Sequence, residues 1–255
     1  MKAKKSLGQN FLKSNLALKK IIEAGEIAGN DIILEIGPGK GALTEKILEK
    51  AKTVIAVEKD NELFEFLKNK FAEQIKLGSL VLVHDDILEF DFVKQGLAKK
   101  YKIIANIPYN ITGAILKKFL TEKIQPEMMI LMVQHEVAKR IVANDKKESL
   151  LSVSVKAYGE PKMIMKVPAR YFSPSPKVDS AVIAIKNISR KVFKENHVSE
   201  EKFWEIVRLG FAHKRKKLSG NLKSLNFNQK ETFTSLKDKR PENLSVLDWI
   251  SIVKN

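Results

Sequence analysis

Asn106, Ile107, Pro108 and Tyr109 follow directly on the apolar run Lys102 to Ala105. A strand ending this way presents a hydrogen-bond acceptor, a rigid turn and a flat aromatic surface, in that order. The set suits an adenine whose exocyclic amine is to be methylated. That nitrogen is a poor nucleophile because its lone pair is delocalised into the ring. Two acceptors that grip its hydrogens draw it toward tetrahedral geometry and free the lone pair, so no strong base is needed. The Asn106 side-chain oxygen is one acceptor, and the Ile107 carbonyl, held by Pro108, is the other. Tyr109 stacks on the base, a contact worth about 1 to 3 kcal/mol. An adenine inside a duplex must be flipped or already unpaired to reach such a corner. Phe172, in the proline-rich stretch YFSPSP, either closes the other face of the base or plugs the core under a stiff loop.

A second group of residues can hold the methyl donor. EIGPGKGALT (35–44) carries glycines at 37, 39 and 41, which let the backbone turn tightly and a ligand approach closely. Glu58 lies about 20 residues beyond, where an acid holds both ribose hydroxyls of an adenosine. Gly37, Gly39 and Ala42 also satisfy a dinucleotide fingerprint. Two details favour S-adenosyl-L-methionine instead. Pro38 removes a backbone N–H that a pyrophosphate would need, and Glu35 sets a carboxylate where phosphates are repelled and an ammonium attracted. Glu35 as a purely structural acceptor is the competing reading. In HDDIL (84–88), Asp86 can accept the adenine amine of the cofactor while Ile87 packs on its ring; Asp85 is the alternative.

The elements that position these residues are readable between 31 and 187. DIILEI (31–36), TVIAVE (53–58), SLVLVH (79–84), KIIAN (102–106) and MMILMVQ (128–134) read as strands. ALTEKILEKA (42–51), NELFEFLKNKFAE (61–73), GAILKKFLTE (113–122) and HEVAKRIVA show helical spacing between and after them. SVSVKAYG (152–159) and SAVIAIKN (180–187) are expected to complete the strands. The alternation predicts an α/β fold, a Rossmann-like parallel sheet with helices on both faces. Beyond residue 188 the strand signals stop and short amphipathic helices follow. The expected organisation is a catalytic domain at 1–188 with a basic N-terminal arm, and a small all-helical domain at 189–255.

Composition narrows the partners. The chain of 255 residues has no cysteine, so disulfides and thiolate metal sites are excluded, and its four histidines show no zinc-type pairing. No metal is expected. The basic start, MKAKKSLGQNFLKSN, is followed by no continuous apolar segment, so neither leader nor membrane anchor is expected and a cytoplasmic protein is the default. The net charge is +16, from 46 Lys and Arg against 30 Asp and Glu. Such a surplus either keeps a lysine-rich chain soluble or marks a polyanionic partner. HKRKK (213–217), on a predicted helix, and the arm with Lys4 and Lys5 tip the balance toward RNA phosphates. The cations singled out are Lys4, Lys5, Lys214, Arg215, Lys216 and Lys217.

KKSLGQNFL (4–12), EIGPGKGALTE (35–45), NIPYNIT (106–112), MVQHEVAKRI (132–141), FSPSPKVDSAV (172–182) and FAHKRKKL (211–218) occur in that order. Together they closely resemble the RNA adenine dimethyltransferases, in particular the branch acting on bacterial small-subunit RNA. The resemblance implies N6,N6-dimethylation of two adjacent adenosines in a hairpin loop near the 3′ end of 16S rRNA. It further implies a late role in assembly, on an immature 30S subunit; the chain is expected to act as a monomer. It also places Asn10 and Leu12 against the cofactor, alongside Gly37, Glu58, Asp86 and Asn106. NIPY, rather than NLPY, is shared with a sister branch, the macrolide-resistance enzymes that methylate 23S rRNA. That branch, and a non-catalytic RNA-binding assembly factor, are the alternatives.

Overall fold

The computed structural model describes residues 3–4, 7–91, 100–145, 147–213, 215–225 and 231–254. Its contacts divide into two units, Met1–Ala138 with Pro161–Ile188, and Lys139–Glu160 with Ser189–Asn255. The sequence boundary near 188 coincides with one crossing between them. The segment Lys139–Glu160, expected in the first domain, clusters with the second.

The first unit is built on a seven-stranded sheet. A short strand β1 (Phe11–Leu12) and helix α1 (Asn15–Ala24) precede β2 (Ile32–Ile36), α2 (Ala42–Leu48), β3 (Thr53–Glu58), α3 (Asn61–Lys70), α4 (Ala72–Lys76) and β4 (Leu80–His84). Then come β5 (Lys102–Asn106), α5 (Thr112–Thr121), β6 (Met128–Gln134) and α6 (His135–Val142). After α7 (Leu150–Lys156) the sheet is completed by β7 (Glu160–Val167) and β9 (Ser180–Lys186), with the short β8 (Phe172–Ser173) between them. The strand order is β4-β3-β2-β5-β6-β9-β7. Strands β4 to β6 pair in parallel through continuous apolar runs such as Met128 to Val133, all buried. That is the composition of strands covered on both faces. The order reverses between β2 and β5, and in open α/β sheets a ligand binds outside the carboxyl ends of the strands at such a switch.

Three expectations about elements are corrected. The sheet is not wholly parallel: β9 runs antiparallel to β6, with Gln134 opposite Ser180. The proline-rich connection before β9 holds no crossover helix, which a parallel return would need. SVSVKAYG is not a strand but mostly helix α7. Ser149 and Ser152 form a reciprocal capping box at its start, and the Ser154 hydroxyl donates to the Leu151 carbonyl inside it. The strand in this region is β7, at the sheet edge, whose mixed lysine and methionine sequence hides its alternation.

In the second unit, α8 (Lys191–Asn196), α9 (Glu200–Gly210), α10 (Leu218–Asn221), α11 (Glu231–Leu236) and α12 (Val246–Lys254) pack as expected for a small helical domain. Trp249 is fully buried, and a Cβ on Gly210 would lie 2.2 Å from its ring, so this helix contact requires glycine. HKRKK is not helical in its described residues. Helix α9 stops at Gly210, where the Asn221 amide donates to the Gly210 and His213 carbonyls at 2.6 and 3.1 Å. Lys214 lies outside the described residues.

Candidate active site

At the switch point the chain leaves β2 through a glycine loop. Gly37, Gly39 and Gly41 have φ of 61°, 61° and 79°, the left-handed region that side chains disfavour. A Cβ on Gly37 would meet nothing within 4 Å, so the loop faces open space; on Gly41 it would strike the Phe71 ring at 2.5 Å. Glu58, at the end of β3, is held by two backbone donors. Gly39 N–H donates to its Oε2 at 3.1 Å and Asp60 N–H to its Oε1 at 2.9 Å. Burial nonetheless raises its pKa, against those bonds. Glu35 is almost wholly buried, and its Oε2 has no hydrogen-bond partner among the described residues. Burial pushes its carboxyl up to about 8, with the nearby Thr44 hydroxyl pulling the other way and the Glu58 charge adding. An orphaned carboxyl oxygen beside an open glycine cradle fits an ammonium-bearing ligand.

Asp86 accepts from Lys59 Nζ at 2.6 Å and from Leu88 N–H at 2.9 Å, and the Lys59 ammonium holds its carboxyl below the usual range. Asp85 Oδ1 accepts the Asp86 N–H at 2.7 Å. Of the two, Asp86 is fixed at the turn and Asp85 supports it. Ile87 is buried beside them.

The fourth parallel strand, β5, delivers the Asn-Ile-Pro-Tyr corner to the same end of the sheet. The Asn106 Nδ2 donates to the Asn10 carbonyl at 3.1 Å, which commits the nitrogen to the N-terminal arm and leaves Oδ1 as a free acceptor among the described residues. The Ile107 carbonyl likewise accepts no hydrogen bond among them. Pro108 is extended, with φ −60° and ψ 132°, and a tight turn over Tyr109–Ile111 follows. The Thr112 hydroxyl donates to the Tyr109 carbonyl at 3.0 Å, and the Tyr109 hydroxyl lies 2.5 Å from Ser180 Oγ.

The N-terminal arm closes the remaining side. Phe11 packs where a Cβ on Gly39 would sit, 3.1 Å from its ring, with Lys40 Nζ 4.9 Å over the ring centroid. Strand β1 pairs antiparallel with β8, Leu12 opposite Phe172 and Phe11 opposite Ser173. Gln9 Nε2 and Lys4 Nζ both reach Asp60, at 3.0 and 3.1 Å. Together these segments enclose a cavity of about 710 Å³ whose lining includes Asn10, Leu12, Gly37, Gly39, Glu58, Asp86, Ile87, Asn106, Ile107, Pro108 and Tyr109.

Two expected site residues stand elsewhere. Phe172 is 2% exposed and packs in the core cluster with Leu12 and Leu18, while its neighbour Ser173 lines the cavity. Strand alternation explains this: pairing with β1 turns one residue of β8 inward and the next outward. Lys4 does not face solvent as a free cation. Its ammonium pairs with Asp60 and Glu62, each at 3.0 Å. Lys5 and Lys214 lie outside the described residues. Arg215 and Lys216 are exposed, and Lys217 pairs at the surface with Asp238 at 2.8 Å. Sequence reasoning missed Gln9, Phe11, Asp60 and Ser180. For Asp60 the signal was present: an aspartate before a helical run is an N-cap, and here it accepts from the Glu62 and Leu63 N–H groups. Among the described residues there is no group of three or more metal-ligating side chains and no helix long and apolar enough to cross a membrane.

An open, mostly parallel sheet with a glycine loop and a buried carboxyl at its switch point fits the S-adenosylmethionine-dependent methyltransferases, the class of its structural neighbours. Comparison with known proteins narrows the class. The family model described as ribosomal RNA adenine dimethylase matches residues 1–255, and the chain belongs to that family. A protein of Dehalococcoides mccartyi (strain CBDB1) named ribosomal RNA small subunit methyltransferase A is 41% identical over 257 residues, covering 98% of this chain and 87% of that one. Its namesake in Fusobacterium nucleatum is 39% identical over 264 residues, covering 99% and 97%. The crystal structure of a dimethyladenosine transferase from Plasmodium falciparum matches with a TM-score of 0.79 at 27% identity over 95% of each chain. The 23S rRNA methyltransferase ErmE matches with a TM-score of 0.75 at 23% identity, covering 96% of this chain and 100% of that one, and so shares the fold. The enzyme is thus an rRNA adenine dimethyltransferase with S-adenosylmethionine as its cofactor.

Proposed function

We propose that the enzyme dimethylates the N6 amines of two adjacent adenosines in a hairpin loop near the 3′ end of 16S rRNA, acting as a monomer on an immature small subunit. The observation that carries the chemistry is the Asn106 side chain: its nitrogen is committed to the Asn10 carbonyl, so its oxygen faces the substrate as an acceptor. Asn106 Oδ1 and the Ile107 carbonyl each take one amine hydrogen, which localises the nitrogen lone pair, and Tyr109 holds the base by stacking. Bound S-adenosylmethionine supplies an electrophilic methyl on sulfur. Glu58 receives the ribose hydroxyls, Asp86 with Ile87 the adenine, and Glu35 the ammonium end; Asn10 and Leu12 close over them. Positioning of donor and acceptor in one cavity supplies most of the rate. The small-subunit assignment is supported by the names of the bacterial relatives and by an overall charge of +16. In the second unit, the exposed Arg215 and Lys216 contact RNA phosphate without reading sequence.

The test is to incubate the enzyme with labelled S-adenosylmethionine and either immature small subunits or protein-free large-subunit RNA, and to map the modified bases. Two dimethylated adenosines in small-subunit RNA alone support the proposal. Labelling only of large-subunit RNA makes the enzyme a resistance-type methyltransferase. Binding of small subunits without labelling makes the chain an assembly factor.

A further inference from the structure

We propose that Ser180 is a positioning residue for the target base: its hydroxyl holds the Tyr109 ring at the place where the adenine stacks. The inference rests on the reading of Tyr109 as the stacking surface.

Tyr109 leads the turn after Pro108, and its backbone is already tied by the Thr112 hydroxyl on its carbonyl. The far end of its ring is tied by Ser180, whose Oγ lies 2.5 Å from the phenol oxygen. The phenol oxygen lies on the axis of the second side-chain torsion, so a bond there arrests the first, which would carry the ring out of the corner, and restrains the second only through the in-plane preference of the phenol O–H. Ser180 opens β9 and pairs opposite Gln134, at the carboxyl end of the strand next to β5. It therefore reaches the corner from the neighbouring part of the sheet, which holds it rigidly. Ser180 is fully buried, and residues 181–185 that follow it are apolar and buried as well. A hydroxyl in such a run costs desolvation unless it has a partner. Tyr109 is the side-chain partner of Ser180 among the described residues. Ser180 does not line the cavity and Tyr109 does, so Ser180 acts on a bound base only through that ring. A platform set before the base arrives saves the reorientation that would otherwise slow reaction.

The test compares Ser180→Ala, Tyr109→Phe, the double variant and Ser180→Thr on immature small subunits with labelled S-adenosylmethionine. Ser180→Ala and Tyr109→Phe each lower kcat/KM for the RNA about tenfold, the scale of one lost hydrogen bond in a pre-set site. The double variant falls no further than either single one, Ser180→Thr recovers most of the loss, cofactor affinity stays at the wild-type value, and the loss of rate in Ser180→Ala exceeds anything its melting temperature accounts for, Tyr109→Phe alone being somewhat destabilised because it orphans the buried Ser180 hydroxyl. Losses that multiply in the double variant, or a Ser180→Ala loss that tracks a lower melting temperature, overturn the inference. Tyr109→Phe breaks the same bond without touching the core, so full activity in that variant also overturns it, whether or not Ser180→Ala folds. Tyr109→Ala separates the two levels. If it retains full rate, the stacking reading itself fails; if it is inactive while Ser180→Ala behaves as wild type, only the role of Ser180 fails.

Discussion

Replacing Glu35 with glutamine should stabilise this protein while weakening its grip on the cofactor. The carboxyl is 1% exposed, its Oε2 is unpartnered among the described residues, and burial pushes it up to about 8. In the unfolded chain the same group releases its proton near 4.5. The unfolded state is therefore favoured progressively as pH climbs from about 4.5, and the loss levels off above about 8. At ~1.36 kcal/mol per pH unit, about 3 kcal/mol has been lost by pH 7. Glutamine copies the shape and neutrality of the protonated acid and does not titrate. Urea unfolding of both proteins at pH 5, 6, 7 and 8 should show a gap that grows from about 1 kcal/mol at pH 5 to about 3 kcal/mol at pH 7, the variant being more stable. A gap independent of pH, or a wild type that is the more stable at pH 8, refutes the reasoning. The same group then predicts a proton balance. If Glu35 ionises to meet the cofactor ammonium, binding at pH 7 releases nearly one proton, readable by calorimetry in buffers of different ionisation enthalpy. The variant should bind more weakly and release none. Tight binding without proton release in the wild type would remove Glu35 from the ammonium site.

Asn106→Ala should lose at least about a hundredfold in turnover, as when one pre-set polar group is removed from a site, while cofactor binding is weakened but measurable. Full activity in that variant refutes the acceptor role. Phe172→Ala should cost about 3 to 5 kcal/mol of stability, as for a large aromatic deleted from a core; a loss of kcat/KM with unchanged denaturation would instead return Phe172 to the base. Arg215→Ala and Lys216→Ala should each flatten the slope of log affinity against log salt for the RNA by about one, and an unchanged slope would place the phosphates elsewhere.

How far the sequence could be read depended on whether a feature is local. Buried parallel strands such as Thr53–Glu58 and Lys102–Asn106 are apolar runs closed by turn residues, so their limits were legible to the residue. The corner residues were legible because amide, imino acid and phenol are unusual company at a strand end. Strand β7 was not, because at the sheet edge it stays only half buried and its lysines break the pattern. SVSVKAYG misled for the opposite reason: its alternation is genuine, but a two-serine capping box decides for helix. The core position of Phe172 follows from pairing with Leu12, 160 positions away in sequence, and no local pattern carries that. Ser180 was hidden in the same way, since only the fold brings it to Tyr109.

Asp60 shows why the N-terminal arm and the ribose acid should be considered one device. Its side chain caps α3 through the Glu62 and Leu63 N–H groups and also accepts from Lys4 and Gln9 of the arm. Burial alone would raise its pKa, but Lys4, the Leu63 N–H and Gln9 together hold the carboxyl below its ordinary value, so it is charged at neutral pH. Its own N–H meanwhile donates to Glu58, whose other oxygen holds Gly39. Three consecutive hydrogen bonds thus link the arm to Asp60, Asp60 to Glu58, and Glu58 to the glycine loop. From the other end, the arm's Asn10 carbonyl takes the Asn106 nitrogen and leaves Oδ1 free among the described residues. On the roles proposed for Glu58 and Asn106, the arm therefore orients both the acid for the ribose and the amide for the adenine amine. On that proposal Lys4 and Gln9 should matter to catalysis through Asp60, and the basic character of the arm at Lys4 serves the enzyme's own carboxylates at Asp60 and Glu62.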